Sequence, residues 1–218
     1  MSYKNKFIVT MLAAAVLCLS AHADMIVNGS FETAEINTTW YTTLGVSNTQ
    51  ITGWKVITGS VDYIGEGLWK ASDGVYSLDM NGRSIGGIEQ SISTEIGKTY
   101  KVTFDMAGNP DSPYDKTLDL KAIGESTQTQ GFLFDPPAGQ TYNNLGWTTE
   151  TWTFIADSNI TKLQFISTTT SNVSIGAALD NVRMEAVGSV NPVPVPGAFL
   201  LGMIGMGIAG IRTRRTKS

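Results

Sequence analysis

Between residues 24 and 188 apolar residues recur at every second position in short runs, and no stretch keeps a 3.6-residue apolar period. Tyr100, Val102, Phe104 and Met106 fall on one face of such a run, with Lys101, Thr103 and Asp105 on the other. Leu118, Leu120 and Ala122 repeat the pattern, as do Trp152, Phe154 and Ala156, and Leu163 with Phe165. A period of two is the mark of a strand with one face buried. The many threonines suit half-buried strands. Gly108-Asn109-Pro110, Asp135-Pro136-Pro137, Asn143-Asn144 and Asp157-Ser158-Asn159 separate the runs with turn residues. Many short strands at this spacing predict an antiparallel β-sandwich of jelly-roll type. There is no internal repeat, so a single domain is expected over residues 24–188.

Charge is unevenly placed along the chain. All nineteen acidic residues lie in that body but only nine of the fifteen basic ones do, so the body carries −10. A domain this acidic repels phosphate backbones, which argues against nucleic acid as a partner. It attracts divalent cations. The single cysteine and single histidine, Cys18 and His22, precede the body. That excludes disulfides, Cys-His and Ser-His-Asp chemistry, and zinc held by the usual ligands within it. A metal there is expected to be hard and oxygen-ligated, calcium first.

Both ends read as export and membrane signals. Lys4 and Lys6 precede an apolar stretch, 7–19, and Ala21-His22-Ala23 is a small-x-small cleavage site. Residues 1–23 are therefore expected to be a secretory signal peptide. Residues 189–196 contain Pro192, Pro194 and Pro196, a stiff extended linker. The uncharged apolar run 197–211 follows, and then a basic tail, 212–218, with Arg212, Arg214, Arg215 and Lys217. As a helix the run measures about 22 Å against about 30 Å of hydrocarbon. It is short for a permanent transmembrane anchor but able to insert, with the basic tail on the cytoplasmic side.

This order of parts resembles the PEP-CTERM class of exosortase sorting signals, with Pro194-Val195-Pro196 where the usual motif has Pro-Glu-Pro. The resemblance implies export to the cell surface or beyond, transient or permanent inner-membrane anchoring, and recognition by an exosortase-type membrane protease. Pro194, Pro196, Arg212, Arg214 and Arg215 would carry the sorting motif. It also implies an association with biofilm polysaccharide.

A second resemblance rests on the body. It is carried by Asn28-Gly29-Ser30-Phe31-Glu32, Ile51-Thr52-Gly53-Trp54, Gly59-Ser60-Val61-Asp62-Tyr63-Ile64, Ser77-Leu78-Asp79-Met80-Asn81-Gly82 and Gly86-Gly87-Ile88-Glu89-Gln90. Met106-Ala107-Gly108-Asn109-Pro110 and Ala178-Leu179-Asp180-Asn181-Val182 complete it. Together these resemble the DUF642 family, in particular its bacterial choice-of-anchor C members, over residues 25–187. The resemblance implies a galactose-binding-like jelly roll associated with polysaccharide and assigns no catalytic residue. In jelly-roll modules of that kind the first strand, here expected at residues 28–32, and the last, expected at 178–182, lie side by side and share a structural calcium, which would place the ligands at Glu32 and Asp180. The bland alternative makes Glu32 a solvated turn residue and Asp180 the cap of a bulge.

A sugar site needs aromatic faces for the ring and fixed polar groups for its hydroxyls. Tyr63, Trp69, Asp73, Asp79 and Asn81 supply both within a glycine-rich span, and Trp40-Tyr41 and Trp147 are further candidates. Against this stands a core role for the aromatics and a turn-bonding role for Asp79. Three functions compete: a non-catalytic polysaccharide binder, a structural matrix or adhesion protein without a sugar site, and, least supported, a small glycosidase built on two carboxylates. Exposure of Tyr63 and Trp69 separates the first from the second.

Overall fold

Alternation over the longest runs dictates two faces, and two such sheets bury their apolar faces against each other. The computed structural model describes residues 24–188, which lie in one compact unit, His22–Gly188. The expected signal peptide, proline linker, apolar helix and basic tail lie outside the described residues. Among the described residues no helix is long and apolar enough to cross a membrane.

Among the described residues eleven strands form: β1 (Tyr41–Gly45), β2 (Lys55–Thr58), β3 (Ser60–Ile64), β4 (Ser77–Asp79), β5 (Gly87–Ser93), β6 (Thr99–Gly108), β7 (Lys116–Ile123), β8 (Thr127–Phe134), β9 (Thr148–Ile155), β10 (Ile160–Ser167) and β11 (Ala177–Ala186). One sheet has six strands in the order β1-β3-β4-β11-β6-β9, and the other has five in the order β2-β5-β10-β7-β8. Every pairing is antiparallel. The predicted all-β sandwich is therefore what forms.

The core lies between the sheets. Tyr63, Leu78, Leu179 and Met106 stand opposite one another across β3, β4, β11 and β6, and all four are fully buried. From the five-stranded sheet come Ile88, Leu118, Leu120, Leu163 and Phe165, equally buried. Phe104 on β6 meets Phe165 on β10 edge-on at 5.1 Å, and Phe165 meets Trp54 at 6.1 Å. Such tilted pairs add about 0.5–1.5 kcal/mol beyond the area they bury. Trp54 donates its indole N–H to the Asn28 carbonyl at 3.0 Å, so the core tryptophan also ties down the N-terminal segment.

That segment corrects one expectation. Residues 28–32 are not a strand: Asn28 and Phe31 adopt φ of 55° and 61°, and the chain turns there. It still lies beside β11. Val182 donates to the Gly29 carbonyl at 2.9 Å and Met25 to the Met184 carbonyl at 3.1 Å. The approach is so close that a Cβ on Gly29 would sit 1.8 Å from the Val182 oxygen. Opposite it, β11 shifts register between Asp180 and Arg183, with Asn181 at φ 53°.

Candidate functional site: a roofed acidic face and its aromatic rim

The outer face of the six-stranded sheet is built from the residues that alternate with the core row. Asp62, Asp79, Ala178 and Ala107 face one another across β3, β4, β11 and β6. One step along, Asp180 faces Asp105, and Asp105 faces Thr149 on β9. Four aspartates thus share a sheet face, and Asp79, Asp105 and Asp180 are buried. The connection between β3 and β4, residues 65–76, lies over Asp105 and Asp180 as a roof, through Ser72 and Asp73, while Asn81, Asn109 and Gly176 enclose Asp79.

Carboxylates hold that roof by its backbone. Asp180 Oδ2 accepts the N–H groups of Ser72 at 2.8 Å and Asp73 at 2.9 Å. Glu32 Oε1 accepts those of Val75 at 2.9 Å and Tyr76 at 2.8 Å. Gly74 lies between them at φ +72°, and a Cβ there would stand 2.4 Å from the Glu32 carboxyl. Ser72 also donates its hydroxyl to Asp105, which accepts from Thr149 Oγ1 at 2.7 Å and Asn181 Nδ2 at 2.9 Å as well. Trp69 closes the roof from beneath, 2 % exposed, with its indole N–H on Ser77 Oγ at 2.8 Å. Ala107 and Ala178 are fully buried on the same sheet face.

Burial sets the electrostatics. It pushes the Asp180 carboxyl up to about 8, against three backbone N–H groups from Asp73, Asn181 and Ser72 that favour the charged form. It pushes Asp79 up to about 7, against donors from Asn81, Asn109 and Gly176, with neighbouring Asp62 adding to the rise. Burial also raises Asp105, but its donors Ser72, Thr149 and Asn181 outweigh that and leave it below the usual carboxylate range. Among the described residues no lysine or arginine forms an ion pair with Glu32 or Asp180.

The expected sugar site does not survive as a surface. Tyr63 is fully buried in the core, with its hydroxyl on the Phe31 carbonyl at 2.9 Å and its ring stacked on Tyr76 at 4.7 Å. Trp69 lies under the roof. Asp79 and Asn81 are buried too: Asp79 accepts from Asn81 N, Gly176 N and Asn109 Nδ2, while Asn81 donates to the carbonyls of Thr169 and Asn172. Of the five residues only Asp73 reaches solvent, at the crest of the roof. A platform must be reachable, so Tyr63, Trp69, Asp79 and Asn81 are structural. The span 65–76 lines a roof and its anchors rather than a cleft.

Glu32 and Asp180 do come together on one short loop. Whether they suit a calcium ion turns on the donor set. Both are carboxylates, and the groups that face them are backbone N–H donors: those of Ser72, Asp73 and Asn181 for Asp180, and those of Val75 and Tyr76 for Glu32. Among the described residues no three carboxylates gather at one point, so a calcium ion there would draw most of its six to eight oxygens from carbonyls and water.

The surface rim of the roof carries aromatic residues that the sequence marked only as secondary candidates, or not at all. Lys70 donates its backbone N–H to the Tyr142 carbonyl at 3.0 Å and accepts the Trp147 indole N–H at 3.1 Å. Tyr142 is 37 % exposed and gives its hydroxyl to Asp111. At the other end of the same arm Gly65 donates to the carbonyl of Trp40, which is 62 % exposed. Trp147 is half-buried. Loops 109–115 and 135–147 and the roof thereby bring two aromatic rings, an acid and an amine to one surface. Two grooves lie elsewhere: one of about 310 Å³ beside Lys101, Arg183 and Asp24, and one of about 340 Å³ beside Lys55, Glu89 and Trp54. Neither holds an expected site residue.

Comparison with known proteins gives one family, described as "Protein of unknown function (DUF642)", which matches residues 24–185. Halomucin of Haloquadratum walsbyi is 31% identical over 209 residues, covering 88% of this chain. The chain spans 2% of that relative's own length. Among solved structures, TmCBM61 in complex with beta-1,4-galactotriose shares 15% identity at a TM-score of 0.45, covering 75% of this chain and 99% of that one. The CBM22-1 xylan-binding domain from Paenibacillus barcinonensis Xyn10C shares 19% at 0.45, covering 66% and 89%. A family 16 carbohydrate binding module shares 12% at 0.47, covering 74% and 99%.

Proposed function

The chain belongs to the DUF642 family, and we propose that its β-sandwich is a non-catalytic, carbohydrate-binding-like module of an exported surface protein. The observation that carries this reading is the rim formed by Tyr142, Trp147, Lys70 and Asp111. It offers aromatic faces for a sugar ring and both a donor and acceptors for its hydroxyls, on loops braced by the sandwich. The body's charge of −10 favours neutral over acidic polysaccharide. Affinity electrophoresis of the full chain through gels cast with neutral polysaccharides tests it. Retardation on at least one gel is expected, weakened by Trp147→Ala and by Tyr142→Ala. Retardation on none, or retardation indifferent to both substitutions, removes the rim as a binding site.

A specific observation favours a second reading. Tyr63 and Trp69 are buried, as a matrix or adhesion protein without a sugar site would have them. That reading predicts no retardation on any gel. A glycosidase is the least supported reading, and release of reducing ends from the same panel is the result that would revive it.

Two further parts of the proposal concern the ions and the ends. Calcium held by Glu32 and Asp180 would neutralise the buried carboxylate and lock the roof; the family resemblance and the burial of Asp180 support it. Residues 1–23 and 189–218 would export the protein and deliver it to an exosortase-type protease, anchored at the inner membrane through 197–211. Pulse-chase labelling tests the last step: a mature form shortened at both ends is expected, and a C-terminus that persists contradicts it.

A further inference from the structure

Each sheet ends on two edge strands: β1 and β9 bound the six-stranded sheet, β2 and β8 the five-stranded one. Three of these edges are tied to a neighbour. Gln128 on β8 donates its amide to the Ile155 carbonyl of β9 at 2.7 Å and accepts the Ile155 N–H at 3.3 Å. The chain beyond β1 runs along β2, where Ser47 donates to the Val56 carbonyl at 2.8 Å and Val56 to that of Asn48 at 2.9 Å. Among the described residues β1 pairs with β3 alone. Trp40 accepts the Gly65 N–H at 2.9 Å and extends that register by one residue, so the even-numbered residues turn their backbone groups toward β3. Alternation in an antiparallel ladder then points those of Tyr41, Thr43 and Gly45 away from the sheet.

Proteins blunt an open edge with charges, proline or a bulge. β1 carries none of them. Its register with β3 is unbroken, and residues 36–54 contain no proline and no charged side chain, in a body of −10. Trp40, Tyr41 and Val46 are exposed along it, the last two at 54 % and 57 %. We infer that β1 is the pairing edge for a second copy of this chain, laid antiparallel about a twofold axis at Thr43. In that register all five residues of the strand are matched, and outward backbone groups oppose outward backbone groups. Thr43 meets Thr43 of the second copy, a favourable cross-strand pair. Tyr41 meets Gly45, where a Cβ would find nothing within 4 Å, so the ring has open space to cover. Trp40 meets Val46, and the exposed apolar side chains cover one another. The edge is thus complementary to itself, as a twofold interface must be. Charge points the same way: two bodies of −10 repel, and an uncharged edge is where they approach most easily. The two six-stranded sheets become one continuous sheet. This association is independent of the sugar and calcium readings.

Cysteine cross-linking of the full chain reads both association and register. With Cys18→Ser as background, each introduced thiol is the only one in its chain. A hydrogen-bonded pair sets Cα atoms about 5.5 Å apart, within reach of a disulfide. Thr43→Cys is therefore expected to oxidise to a linked dimer. An equal mixture of Tyr41→Cys and Gly45→Cys should link to each other in preference to themselves. Thr129→Cys, exposed on the β8 edge, reports random collision and should stay unlinked. Sedimentation velocity should show a dimer that grows with concentration. Tyr41→Lys, a change at an exposed position, should weaken that dimer about tenfold or more. A chain that stays monomeric at every concentration overturns the inference. So does a dimer in which Thr43→Cys links no faster than Thr129→Cys, which would put the contact on another face.

Discussion

At the scale of single residues the chemistry is that of buried carboxylates. Asp180 and Asp79 have folded-state values of about 8 and about 7 where the unfolded chain has ordinary aspartates. Between the unfolded value and those figures the folded state binds more protons, so unfolding becomes easier as pH rises through that window. In the presence of a chelator the domain is expected to be more stable at pH 5 than at pH 8.5. Urea denaturation at the two values measures it, and greater stability at pH 8.5 contradicts the assignment of these groups. Calcium should reverse the order, since an ion at Glu32 and Asp180 favours the charged form. Gly29 provides a purely steric test. With the Val182 oxygen 1.8 Å from any added Cβ, Gly29→Ala should destabilise by roughly 1–3 kcal/mol, because backbone on both sides must yield.

Elements show where local pattern ends and long-range packing begins. The alternation that marked residues 100–106, 118–122 and 163–165 is legible because a half-buried strand writes its environment into every second residue. The roof writes nothing comparable. Trp69, in Glu66-Gly67-Leu68-Trp69-Lys70, has the surroundings of an exposed platform. Its burial shows only in the fold, where its indole N–H meets Ser77 Oγ. Asp79 and Asn81 mislead for the same reason: their partners are Gly176, Asn109, Thr169 and Asn172. Residues 28–32 read as a strand although Asn28-Gly29 is a turn dipeptide and asparagine takes a positive φ more readily than most residues; only the φ of Phe31 has no sign in its side-chain type. Hydrogen exchange can resolve the roof's two clamps. Asp180→Asn should deprotect the amides of Ser72 and Asp73, and Glu32→Gln those of Val75 and Tyr76. Equal loss at all four would mean that the roof opens as one piece. Across the sandwich Phe104 packs on both Phe165 and Phe132, and Phe104→Ala is expected to cost about 3–5 kcal/mol in a two-state denaturation.

For the described residues as a whole, the six-stranded sheet spends its inner face on the core and much of its outer face on buried aspartates under loops, so its rim is what it offers for recognition. Candidate residues named for their type were partly right in neighbourhood and wrong in depth: the span around Trp69 does organise a surface, but the surface belongs to Tyr142, Trp147 and Lys70 beside it. The chain's five tryptophans, Trp40, Trp54, Trp69, Trp147 and Trp152, report on this directly, because each indole N–H gives one resolvable nuclear magnetic resonance signal. The deciding measurement follows those five signals in the full chain while a soluble oligosaccharide, drawn from a polysaccharide that retards it, is titrated in. The account predicts that Trp147 moves in proportion to occupancy while the buried Trp54 and Trp69 stay in place. Movement of Trp69 with Trp147 unmoved would contradict it and place the sugar beneath the roof.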